Sequence, residues 1–122
     1  MRFATLCIAL LVAFHQSAVA VAAKSITCSY AQGQQLTFDV PKKLGGLPPI
    51  EFDYPSKVTL FSFRDNNLLL VAMDEDQPSR LRIVISAQLN KASGAYGGQI
   101  VVDMGGHELQ VHAGPVACTV GR

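Results

Sequence analysis

From Arg80 to Asp103 the chain reads RLRIVISAQLNKASGAYGGQIVVD, and apolar and polar residues alternate along most of it. Leu81, Ile83, Ile85, Ala87 and Leu89 share one face, while Arg80, Arg82, Ser86, Gln88 and Asn90 share the other, interrupted only by Val84. A period of two marks a half-buried strand, not a helix. The pattern resumes after a turn at NKASG, with Tyr96, Ile100 and Val102 on one side and Gln99 and Asp103 on the other. Gly94 is free to take the positive φ that such a turn needs. The stretch predicts a long hairpin around which the rest of the chain packs.

The same reading places shorter strands on either side. Ser25–Ala31 and Gln35–Val40 form a first hairpin, with Leu36, Phe38 and Val40 inward. Val58–Phe63 and Leu68–Met73 flank Arg64-Asp65-Asn66-Asn67, a strong turn signal. LLLVAM is apolar on both faces, as in a strand covered on both sides or central in a sheet. Asp74 to Ser79 is an acidic turn. His107–Ala113 and Val116–Val120 are two further strands separated by Gly114-Pro115. About eight short strands without a helix predict an all-β fold, an antiparallel sandwich or a small barrel. Closure into a barrel would remove exposed edges.

Pro41 to Pro55, PKKLGGLPPIEFDYP, breaks the pattern with four prolines and two glycines. It is expected to be an irregular loop. Long unstructured loops in small domains are often functional. Leu47, Ile50, Phe52 and Tyr54 make it unusually apolar, so it either plugs one end of the β-structure or offers a binding surface.

Met1-Arg2 followed by FATLCIALLVAF has the charge and apolar core of a secretory signal peptide, with cleavage after Ala20, Ala22 or Ala23. His15, Gln16 and Ser17 end the apolar run short of the roughly 20 residues that span a bilayer. The expected product is a single β-domain from Lys24 to Arg122, exported to the periplasm or beyond, without a membrane anchor. Of ten Lys and Arg, Arg2 leaves with the signal, so nine balance nine Asp and Glu. That balance excludes the basic footprint of a nucleic-acid binder and polybasic membrane attachment. Of three cysteines, Cys7 also leaves. Cys28 and Cys118 are then expected to form a disulfide that brings the first and last strands together.

Catalytic chemistry has little to work with. The expected mature chain has two histidines, no GxSxG elbow, no phosphate-binding glycine loop and no CxxC pair. Asp74 and Asp76 lack the glycine and terminal Glu of a calcium loop. His107 and His112, with Glu108 beside them, point to opposite faces of one strand and do not share a metal. No cofactor, no metal and no enzyme activity are expected.

The hairpin tip is the remaining candidate. Ser93-Gly94-Ala95-Tyr96 presents two hydroxyls around a glycine, a shape suited to entering a carbohydrate-binding cleft. SGAY resembles the SG-x-Y loop of the bacterial periplasmic lysozyme inhibitors, small exported all-β proteins whose loop plugs the lysozyme active site. The resemblance covers those four residues together with size, export and fold class. It implies lysozyme as the protein partner and Ser93 and Tyr96 as the inserting residues. The reading from the residues alone is a non-catalytic binding module. A lipophilic-ligand carrier, with a cavity between Leu68–Met73 and the Leu47–Tyr54 loop, is the other alternative.

Overall fold

The computed structural model describes residues 24–121; the export segment expected over 1–23, with its cleavage sites and Cys7, lies outside them. Among the described residues there are seven strands: β1 (Ser25–Tyr30), β2 (Gln34–Asp39), β3 (Ser56–Arg64), β4 (Asn67–Asp74), β5 (Leu81–Leu89), β6 (Tyr96–Asp103) and β7 (Val111–Gly121). All are antiparallel in one sheet of order β2-β1-β7-β6-β5-β4-β3. The sheet curls into a half-barrel, so that side chains of distant strands meet inside. Phe38 of β2 meets Phe61 of β3 edge-to-face at 5.7 Å, and Phe63 of β3 lies 5.3 Å from Tyr96 of β6. Ile26, Leu68, Leu70, Ile85 and Ile100 are almost wholly buried in the concave core.

The expected eighth strand is absent from the described residues. Residues 107–110 form a loop, and β7 runs unbroken through Gly114-Pro115. Proline is tolerated there because β1 pairs with β7 only from Val116 onward, so Pro115 has a ladder on the β6 side alone. The sheet also stops short of closing by hydrogen bonds, since β2 and β3 remain its edges. The proline-rich segment between them cannot form a ladder. It fills the gap instead: Pro48 is buried, and Ile50 and Phe52 pack on the core. Leu44 and Leu47 of the same segment stay exposed. The loop is a plug with an apolar outer rim.

Cys28 and Cys118 face each other in the β1–β7 register and are bonded, with Cα atoms 4.0 Å apart. The first and last strands therefore lie side by side. The β3–β4 connection has positive φ at both Asp65 and Asn66, as a two-residue type I′ hairpin requires. In the long hairpin, Gly94 has φ +76°, and Gly98 is where β5 comes close: a Cβ there would run into the Ser86 carbonyl.

Two β-bulges decide which side chains enter the core. In β3 the register shifts between Val58 and Leu60, so Val58 and then Phe61 and Phe63 turn inward although their spacing breaks strict alternation. In β5, Ala72 pairs with Ile83 while Met73 pairs with Leu81, leaving Arg82 as the extra residue. Leu81, expected inside, is 36% exposed, and Arg82, expected outside, is 5% exposed. A bulge re-aims side chains in this way by adding one residue to one strand only.

Candidate functional site

At the hairpin tip, the candidate residues Ser93 and Gly94 are exposed and Tyr96 is half-buried. Asn90 organises this turn: its Oδ1 accepts from the N–H groups of Ala92 and Ser93, and its carbonyl accepts from Gly94. The Ser93 hydroxyl accepts from the Ala95 N–H at 3.2 Å. The Tyr96 ring packs inward against Phe63, opposite Cys118 in the β6–β7 register. The structure thus holds the two residues in different environments, Ser93 on the turn and Tyr96 on the core side.

The opposite end of the half-barrel carries a charged network that alternation alone placed in solvent. Arg82 donates through Nε to Asp74 Oδ2 (2.7 Å), and through Nη1 to the carbonyls of Asp103 and Gly105. Arg80 donates through Nε to Asp103 Oδ2 (2.8 Å) and reaches the carbonyls of Gly105, Gly106 and Glu108. Asp103 Oδ1 accepts from the N–H groups of Gly105 and Gln110. The Arg80 hydrogen bond, aided by these two, holds the Asp103 carboxyl well below its ordinary 3.8 against the opposing effect of burial. Asp74 is lowered too, first by the Gln77 N–H and then by Arg82 and the Asp76 N–H. Above the Arg82 guanidinium lies the Tyr54 ring, its centroid 5.3 Å away. The hollow beside it, about 270 Å³, is lined by Tyr30, Phe52, Tyr54, Arg82 and Met104 among others. Burial, and secondarily the charge of Asp53, push the Tyr30 phenol above its ordinary value. Asp74 is thus a buried structural carboxylate, not a member of a solvated acidic turn.

His107 sits in the exposed 107–110 loop, and His112 is half-buried on β7, its Nε2 buried without a hydrogen-bond partner. The two line different hollows. Among the described residues no three His, Cys, Asp or Glu side chains cluster as a metal site.

The outer face of the sheet holds a feature that sequence reading did not assemble. Leu60 pairs with Val71, Val71 with Val84, Val84 with Val101, and Val101 with Ala113. Five adjacent strands therefore place five aliphatic residues in one row, about 19 Å long at the usual strand spacing. Leu60 and Ala113 are exposed, and the three valines are half-buried. The row runs into a groove of about 610 Å³ lined by Leu81, Val101, Leu109, Val111, Arg80 and His107. Leu109 and Val111 are 71% and 59% exposed. Two signals pointed here: Val84 as the apolar interruption of a polar face, and the two-sided apolarity of LLLVAM. Neither revealed the row, because register between strands is not written in any one strand.

Compared with known proteins, the chain matches no family model, no curated protein and no solved structure.

Proposed function

We propose that this chain is a small, exported, non-catalytic binding module that docks a protein partner on the outer face of its half-barrel. The observation that carries the reading is the row Leu60–Val71–Val84–Val101–Ala113, continuous with the groove at Leu109 and Val111. Contiguous exposed apolar surface costs solubility and marks interaction sites. Export is supported by the Cys28–Cys118 disulfide, which persists in oxidising compartments. No helix among the described residues is long and apolar enough to cross a membrane.

A carrier is less well supported. Leu68, Leu70 and Ala72, which would line its cavity, are at most 1% exposed among packed neighbours. The hollow beside the proline-rich loop is smaller than the usual range for buried ligands and is lined partly by charged groups.

Lysozyme is the partner to test first. Oxidised protein beginning at Lys24 is added to a bacterial suspension with c-, g- or i-type lysozyme. The wild type is compared with Val84→Thr/Val101→Thr/Val111→Thr, which keeps β-branched shape while adding hydroxyls, and with Ser93→Ala/Tyr96→Ala. Inhibition lost only in the valine variant supports outer-face docking on lysozyme. Inhibition lost only in the tip variant transfers the role to Ser93 and Tyr96. Without inhibition, the immobilised wild type and valine variant are compared for retained periplasmic proteins, and identical profiles overturn the outer-face reading.

A further inference from the structure

Among the described residues, β2, β3 and the 111–115 stretch of β7 each keep a backbone edge without a ladder partner. They are not equivalent. The β7 stretch contains Gly114-Pro115, which weakens and blocks strand addition. The first residues of β2 face Glu51–Tyr54 across the hollow at the charged end. β3 is defended in its first half by Lys57 and the bulge before Leu60. From Leu60 to Arg64 it pairs regularly with β4 and contains neither proline nor glycine. Among the described residues no backbone hydrogen bond joins this half to the neighbouring 41–46 segment.

Between the two runs lies a slot of about 330 Å³, bordered by residues of the 40–46 stretch other than Lys42 on one side and by 60–64 on the other. Leu44 and Leu60 are its exposed apolar walls, at 82% and 45%. Among the described residues its charged lining is Lys43 and Arg64, without a carboxylate; Asp39 and Asp65, the chain neighbours of Val40 and Arg64, are not part of the lining. Neither cation forms an ion pair among the described residues. A strand laid along residues 60–64 would span about 16 Å.

We infer that the second half of β3 is a strand-addition site for an extended, acidic segment of a partner protein. The segment hydrogen-bonds to the free edge, turns its apolar side chains inward toward Phe61 and Phe63, which also line the slot, and sets carboxylates on its other face against Lys43 and Arg64. The inference rests on the binding-module reading and deepens it, because Leu60 is also the first residue of the outer aliphatic row.

The test titrates two acetylated, amidated heptapeptides, EVEVEVE and KVKVKVK, into the oxidised protein from Lys24 on, following backbone amide NMR shifts. Saturable shifts at 60–64 and 41–46 with EVEVEVE, weakened by salt and absent with KVKVKVK, are the expected result. Lys43→Glu/Arg64→Glu, shown folded by its amide spectrum, is expected to weaken binding about five- to tenfold. No shift at 60–64 at millimolar EVEVEVE, or equal binding of both peptides, overturns the inference. So do shifts at 60–64 that grow with protein concentration alone, which would assign the edge to a second copy. Any of these leaves the outer-face reading standing, since that is judged by the valine variants and the partner they retain.

Discussion

At one end of the half-barrel the turns close on their own neighbours. Asn90 holds the 90–95 tip through Ala92, Ser93 and Gly94, and Asp65 and Asn66 supply the φ values of the β3–β4 turn. At the other end, Arg80 and Arg82 reach 21 to 28 residues along the chain to fasten the backbone between Asp103 and Glu108. The Cys28–Cys118 bond stands at the level of Tyr96, toward the tip. One end is therefore held by local turn chemistry and a covalent staple, the other by buried charge. Local turns tolerate single changes, whereas a buried ion pair that loses one member leaves the other uncompensated.

Removing the staple should have the largest effect. Cys28→Ser frees a loop whose closure is worth about 4–5 kcal/mol in the chain-entropy picture. Tm should fall sharply under oxidising conditions, and wild type and variant should melt together once reduced. An unchanged oxidised Tm would show that the strands hold this end without the bond.

Breaking the charged end comes next. Arg82→Met should lower Tm less than Cys28→Ser but more than any substitution in the 90–95 turn. Hydrogen exchange should show lost protection at Gly105 and Gln110, with the 90–95 amides unmoved. Adding Asp74→Leu should recover part of the Tm, because the stranded carboxylate is then gone. A double variant less stable than Arg82→Met would mean that Asp74 acts mainly through the N–H groups of Asp76 and Gln77.

Acid separates the two ends in a different way. Because folding lowers the Asp103 and Asp74 values, the unfolded chain takes up protons first as pH falls. Their contribution is complete above the ordinary carboxylate value of 3.8 and is lost as pH drops below it toward the folded values. Tm should decline over that acid range, and Asp103→Asn should flatten the decline. An acid limb unaltered in the variant would place the sensitive carboxylates elsewhere.

The smallest effect belongs to the tip. Asn90→Ala removes the side-chain acceptor of two turn N–H groups and should cost about 0.5–1.5 kcal/mol by denaturant titration. A larger cost would show that the tip supports Tyr96 and Phe63 and is not merely a connection.

This contrast follows what the residues disclosed in advance. The hairpin from Arg80 to Asp103, the turn at Gly94 and the inward side of Tyr96, Ile100 and Val102 were legible because strand period and turn preference are properties of a few adjacent residues. The strand break expected at Gly114-Pro115 did not occur, because a proline beside an unpaired flank disturbs no ladder there. Arg82 and Leu81 exchanged places because a bulge in the β4–β5 register reversed the alternation. The outer row was visible only as Val84 out of pattern and LLLVAM apolar twice over.

The sequence by itself determined an antiparallel β-chain, its main hairpins and the pairing of its two described cysteines. Tertiary structure alone decided that the sheet stays open between β2 and β3, that Arg80 and Arg82 are held within a buried network, and that five aliphatic residues align on the outside. Alternation is set by the geometry of one strand, but register, edges and bulges exist only between strands.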